Sequence, residues 1–178
     1  MFILTKDVFD CMRESHAVRH FKEQDIPDPT LSRILEAGCW APSAGNLQPW
    51  YFYVVKNQVV KNKIAEACFE QNQINDSAVS IVILADPARS NERYGERGAQ
   101  LYCIQDTAIA TENMILAAYG LGIDSCWVGA FDEVEVQRAV EAPPRLRAVA
   151  ILCLGYSDEE TDLVKERLRV AEVTKIIH

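Results

Sequence analysis

A chain of 178 residues, 49% hydrophobic and 25% charged, is long enough to bury a full core, which excludes disorder, collagen-like repeats and a coiled-coil rod. Its formal net charge of −8 makes it a poor non-specific partner for nucleic acid or for an anionic membrane surface, while leaving room for a local basic pocket that takes one small anion. The six cysteines include no CxxC spacing, no signal-peptide pattern opens the chain, and no apolar run approaches the ~18 residues of a membrane span. These features predict a soluble cytoplasmic protein with buried, reduced thiols and one domain over residues 1–178.

In chain order, residues 5–13 read as a helix with Val8, Phe9 and Met12 on one stripe. A second helix starts at Asp28-Pro29, with Asp28 as N-cap and Pro29 in the first turn. It buries Leu31, Ile34, Leu35 and Gly38 and stops before Pro42. Residues 50–55 (WYFYVV) are aromatic and β-branched and predict a strand, and residues 59–70 predict a helix. The continuous apolar run at 79–85 predicts a strand covered on both faces. Residues 99–119 contain no Gly or Pro and are apolar around much of the helical circumference, which predicts burial by the chain itself or by a second subunit. Gly120 and Gly122 end that helix. A short strand at 125–128, a helix capped by Asp132 with Glu135 three residues on, and a strand at 149–154 follow. The tail from 156 to 178 is charged and has too little apolar surface for its own core. This interleaving predicts a layered α/β or α+β architecture with helices against a central sheet.

The sequence contains no GxGxxG, P-loop, HExxH or GxSxG pattern, and one of its three histidines is the terminal His178. An enzyme built from this chain would draw its chemistry from a bound organic cofactor. Three segments carry candidate sites. Residues 13–21 (RESHAVRHF) set Arg13, His16, Arg19 and His20 in a short stretch, either an anion grip or a solvated basic face. Residues 40–50 (WAPSAGNLQPW) place Ser43, Asn46 and Gln48 between two prolines. They read as a loop for the polar edges of a planar heterocycle, or as a turn satisfying its own backbone. Residues 120–131 (GLGIDSCWVGAF) leave the backbone open at Gly129 and Ala130, for a ligand or for a tight packing corner.

Together, the basic end of the first helix, APSAGNLQPW running into a strand, LGIDSCWVGAF and the late LGY with its basic tail resemble the FMN-dependent nitroreductase family, in that family's order and over nearly the whole chain. The resemblance implies an α+β fold with a central mixed, mostly antiparallel sheet flanked by helices. It also implies an intertwined homodimer, with residues 156–178 as an arm packing on the partner subunit. FMN would lie at the dimer interface, with NAD(P)H as transient donor and a nitroaromatic, quinone or similar small molecule as acceptor, in a ping-pong cycle. Flavin N5 would carry the chemistry, so no catalytic side chain is required.

By that resemblance, Ser15, His16, Ala17 and Arg19 take the family's N-terminal FMN positions. Ser15 stands where the family usually has Arg, and Ala17 where it usually has Ser, and Arg13 is placed to supply a replacement guanidinium. Pro42, Ser43, Asn46 and Gln48 resemble the loop that reaches the flavin of the partner subunit. Val128, Gly129 and Ala130 resemble the backbone stretch near N5, and Lys165 and Arg167 the late phosphate-binding pair. Gln71, Asn72 and Gln73 stand near an amide position for the pyrimidine edge, and Phe69, Tyr94 and Tyr102 are candidates for the acceptor wall. Other flavin chemistries on the same scaffold (dehalogenation, flavin fragmentation), a non-catalytic flavin-binding or sensor protein, and an apo structural dimer are the competing readings.

Overall fold

The computed structural model describes residues 6–159 and 166–178. Its centre is a four-stranded sheet in the order β1-β2-β4-β3, built from β1 (Trp50–Val55), β2 (Val79–Ala85), β3 (Asp124–Val128) and β4 (Arg147–Gly155). All of these strand pairs are antiparallel. One parallel bridge, Ala17 to Ser125, extends the sheet beyond β3, so it is mixed and mostly antiparallel.

The continuous apolar run of β2 follows from its position. Every residue of β2 is buried, because helices cover both faces. Val82 and Leu84 join one core cluster with Ile151 and Cys153 of β4 and with Ile64 and Val136. Ile64 belongs to α3 (Gln58–Ala67) and Val136 to α7 (Glu133–Ala139). Val79, Ile81 and Ile83 join the opposite cluster with Ala150, Leu152 and Leu154 of β4 and with Leu31, Ile34, Met114 and Ala118. Those last four come from α2 (Asp28–Cys39) and α6 (Cys103–Gly120). The period-2 alternation of a strand thus assigns successive residues to two different apolar layers.

Several element boundaries differ from the sequence expectation. In α2, Pro27 occupies the N-cap and Asp28 is the first helical residue, pairing with Lys56 at 2.6 Å instead of capping. The helix α3 stops at Ala67, because Phe69 and Glu70 adopt left-handed φ of 57° and 59°. A short helix α4 (Gln73–Asp76) then leads to β2. The charged helix α5 (Pro87–Arg97) lacks an apolar stripe, but Asp86 caps it and Pro87 opens it, the arrangement that the sequence suggested for α2. It kinks at Gly95 (φ 59°), and residues Gly98–Tyr102 form a π turn where the sequence pattern predicts regular α-helix. The helix α1 (Val8–Glu14) buries Cys11, whereas Val8, Phe9 and Met12 face solvent in the single subunit. Past β4, α8 (Val170–Val173) and the rest of residues 166–178 are exposed.

The α5–α6 junction is sterically tight. A Cβ at Gly98 would come within 2.3 Å of the Ser90 carbonyl oxygen, an atom that moves only with the backbone. Gly98→Ala is therefore expected to destabilise the protein by about 1–3 kcal/mol, the usual scale of overpacking. Urea unfolding measures it, and an unchanged midpoint would show that this junction yields freely.

Candidate functional site

The basic segment after α1 is held as an extra edge beside β3. The Val18 N–H donates to the Ser125 carbonyl (2.9 Å) and the Lys22 N–H to the Tyr156 carbonyl (2.7 Å), with Val18 itself buried. The chain leaving β4 grips the segment from the other side. Ser157 Oγ donates to the His20 carbonyl (2.7 Å), the Arg19 N–H donates to Glu159 (2.9 Å), and Lys22 pairs with Asp158.

This arrangement opens a cleft of about 350 Å³ lined by Ser15, His16, Ala17, Glu112, Ile115, Ser125, Trp127 and Arg167. The cleft brings together four of the expected residues, Ser15, His16, Ala17 and Arg167, from the two ends of the chain. Lys165 lies outside the described residues. Arg13 does not line the cleft, because it pairs with Asp10 on its own helix. Arg19 is exposed at the outer edge of the same segment. His16 Nδ1 sits 2.9 Å from the Glu14 carbonyl, and its ring meets Tyr119 edge-on, with centroids 6.4 Å apart. The Tyr119 hydroxyl is in turn held by Lys6 Nζ (3.0 Å).

The strand β3 supplies residues that the sequence reading passed over. Ser125 and Trp127 alternate outward into the cleft, while Cys126 and Val128 alternate inward to the core. A period-2 reading of the DSCWV run would have found them. Val128 is buried, so only its backbone is available to a ligand, whereas Gly129 and Ala130 are exposed. The Ala130 carbonyl accepts from Gln71 Nε2 at 2.8 Å, which ties the turn after β3 to the 71–73 segment.

The 42–48 loop is elsewhere. It contributes nothing to the cleft and packs on α5 and the first turn of α6. Asp106 and Glu112, the α6 residues nearest each region, are six positions apart, roughly 9 Å along a helix axis. Pro42, Asn46 and Gln48 are exposed. Part of the loop's polarity is spent internally: Ser43 Oγ accepts from the Gln48 N–H (2.9 Å), and Gln48 Nε2 donates to the Asn46 carbonyl (3.2 Å). Tyr94 and Tyr102 meet edge-to-face at 5.3 Å beside Gly45, while Phe69 is exposed after α3.

The electrostatics of the cleft are mixed. Arg167 and His16 supply positive or protonatable groups, and Glu112 opposes them. Behind the cleft, burial pushes the Asp124 carboxyl above its usual range, against the Ser157 N–H bond (2.9 Å) and the nearby His16 and Lys22 charges. Of the cysteines, only Cys39 is exposed; burial raises the thiol pKa at Cys68 (to about 12), Cys103, Cys126 and Cys153. No helix among the described residues is long and apolar enough to cross a membrane.

The subunit also leaves apolar surface uncovered. Phe9 is 73% exposed and Trp40 78%. An adjoining groove of about 380 Å³ runs between α1, α2 and α6, lined by Val8, Cys11, Ala37, Trp40, Leu116 and Leu121 among others. Leu168, Val170, Val173, Ile176 and Ile177 of the tail are all exposed.

The Nitroreductase family model matches residues 12–78 and 71–156. A protein of Archaeoglobus fulgidus named for NADH dehydrogenase or NAD(P)H nitroreductase activity is 34% identical over 150 residues, covering 82% of this chain and 83% of that one. The 5,6-dimethylbenzimidazole synthase of Rhodospirillum rubrum is 26% identical over 166 residues, covering 80% and 78% of the two chains. Among solved structures, a nitroreductase family protein from Clostridium novyi NT superposes with a TM-score of 0.78 at 28% identity, covering 89% of this chain and 90% of that one.

The Asp124 carboxyl makes a pH-dependent contribution. A carboxyl whose pKa is raised on folding stabilises the fold most below the ordinary aspartate range and loses that contribution as pH rises through its folded value. Asp124→Asn keeps an acceptor for the Ser157 N–H and removes the buried charge. Urea unfolding between pH 4 and pH 7 is expected to show the variant gaining on wild type as pH rises. Parallel pH curves would show that Asp124 ionises freely.

Proposed function

This chain belongs to the nitroreductase family and is an oxidoreductase, and from that premise we propose that it is an FMN-dependent enzyme working as a homodimer. It takes reducing equivalents from NAD(P)H and passes them to a nitroaromatic, quinone or similar small acceptor. The observation that carries the reading is the cleft in which Arg167 of the tail meets Ser15, His16 and Ala17 beside Ser125 and Trp127.

The residues present fit a flavin mononucleotide. A guanidinium, an imidazole and two hydroxyls form a donor set suited to a phosphate and its ribityl chain. An exposed indole face on β3 suits a planar ring. When bound, FMN supplies hydride and electron transfer at its N5 position. The chain's own residues bind and orient. Arg167, Arg19, His16 and Ser15 would hold the phosphate end. Arg167 would offset the missing arginine at position 15, while Arg13 is engaged by Asp10. The exposed Gly129 and Ala130 would offer backbone N–H groups to the ring, where such a donor would stabilise developing negative charge. Pro42, Ser43, Asn46 and Gln48 complete the site of the second copy, consistent with their absence from the cleft of their own subunit. Donor and acceptor share one docking surface in turn, which needs no dinucleotide-binding glycine motif.

The second copy is argued from the uncovered apolar surface. Phe9, Met12, Trp40 and the α1–α2–α6 groove, with the apolar residues of the tail, leave exposed the kind of apolar surface that marks an interaction site. A second reading is another flavin reaction on the same scaffold, favoured by the likeness to a relative named for a different chemistry.

An absorption spectrum followed by anaerobic titration tests the proposal. The purified protein is expected to be yellow, to bleach with NADH or NADPH, and to regain colour with a nitroaromatic. Failure to take up FMN on incubation would overturn it, and bound flavin that no nitroaromatic or quinone reoxidises would move the assignment to the second reading. Arg167→Ala is expected to weaken FMN binding by about 1.5–3 kcal/mol, the scale of a lost charge-assisted hydrogen bond. Light scattering at micromolar concentration is expected to give a dimer.

A further inference from the structure

We propose that Asp106 is a positioning residue, whose buried carboxylate anchors the strained 42–48 loop in the form that completes the flavin site of the second copy. The proposal rests on the flavin reading above for what the loop does, and on geometry for how it is held. Asp106 is 4% exposed on the first turn of α6. Its two carboxylate oxygens lie 3.1 and 3.2 Å from the Ala44 amide nitrogen. Among the described residues no cation pairs with it, and burial holds its carboxyl above the usual range against that single N–H. A buried, uncompensated carboxylate works against stability. Here it accepts from a backbone group of the loop and not from the N–H groups of its own helix.

The loop needs an anchor. Gly45, Asn46 and Gln48 have φ of 58°, 58° and 50°, the left-handed region, which Asn tolerates and Gln rarely adopts. Most of the loop is exposed, so packing alone does not enforce this shape. Arg93 Nη1 donates to the Gly45 carbonyl (3.2 Å) and Arg89 Nη1 to the Gln48 carbonyl (2.7 Å). The Arg93 contact is solvent-facing and Arg89 is half-buried, held also by the Tyr51 hydroxyl (2.8 Å), so Asp106 is the buried member of the clamp. The clamp closes on Gly45, where a Cβ would sit 2.6 Å from the Tyr94 hydroxyl and 2.7 Å from Arg93 Nη1 and would push those side-chain ends aside. Asp106 thus sets where the Asn46 and Gln48 side chains stand without touching the cofactor.

Asp106→Leu removes the acceptor and the buried charge at similar volume. It is expected to leave the melting temperature unchanged or higher while amide hydrogen exchange at residues 44–46 accelerates and kcat/KM falls by about tenfold to a hundredfold, the scale of a misplaced group remote from the chemistry. Asp106→Asn, which keeps a carbonyl acceptor, is expected to restore slow exchange and most of the activity. Should the leucine variant fail to fold, Ala44→Pro removes the donor instead, and the extended Ser43 (ψ 154°) accepts a following proline. Subunit mixing then tests the site it serves. Mixed dimers of Asp106→Leu with Arg167→Ala are expected to regain about half of wild-type activity, because closed two-fold assembly pairs one intact cleft with one intact loop. Unchanged exchange and kcat/KM in Asp106→Leu would overturn the proposal, as would mixed dimers that stay at the activity of their parents. A wild-type chain that is monomeric or takes up no FMN would instead overturn the functional reading.

Discussion

The β2–β4 pair is the constraint on which the rest of the subunit depends. Both strands are buried over nearly their whole length, with one apolar layer under α3 and α7 and another under α2 and α6. A sheet covered on both faces has no side to give to solvent, so slipping its register by one residue would exchange the two layers completely. Fixing that register also fixes where β1 and β3 lie at the edges. The cleft and the 42–48 loop are placed by those two edges: the loop enters β1, and the cleft is built against β3.

The two candidate regions are rigid for different reasons. Around the cleft, rigidity comes from backbone. Residues 17–22 are bonded to Ser125, Tyr156, Ser157 and Glu159, so Ser15, His16 and Ala17 hold their places against β3. Around the loop, rigidity comes from charged side chains of α5 and α6 that grip single peptide groups. The second device permits left-handed residues that a regular element would not tolerate, and it leaves the tips of the loop's side chains exposed. Exposed side chains on a stiff loop suit contact with something outside the subunit.

Charge and apolar surface are distributed consistently with that picture. The protein is acidic overall, yet Arg167 and His16 meet at the cleft, where Arg167 approaches from the exposed segment 166–178. The stripe of Val8, Phe9 and Met12 on α1 has the spacing of a buried face and is uncovered in the single subunit. A sequence pattern reports that a face is apolar, not which chain covers it.

How much was legible beforehand follows from the range of each interaction. The bounds of β1 and β2 were readable because β-branched and aromatic runs of strand length carry the signal locally, and Asp132 was readable as a cap because its partners, the Val134 and Glu135 N–H groups, lie within three residues. The family likeness was readable because its segments are contiguous. By itself the sequence therefore determined the strands, most helices and the family. The family likeness also pointed Arg167 and residues 15–17 toward one ligand, and the alternation of β3 carried the outward turn of Ser125 and Trp127. Tertiary structure alone decided that Glu112 and Ile115 of α6 join them in one cleft and that Asp106 grips Ala44 across 62 residues. It also decided that Arg13 serves Asp10 rather than the cleft. Apart from the local Arg13–Asp10 pair, such contacts leave no periodic trace, because they join positions far apart in the chain whose proximity exists only after the two apolar layers have closed on the sheet.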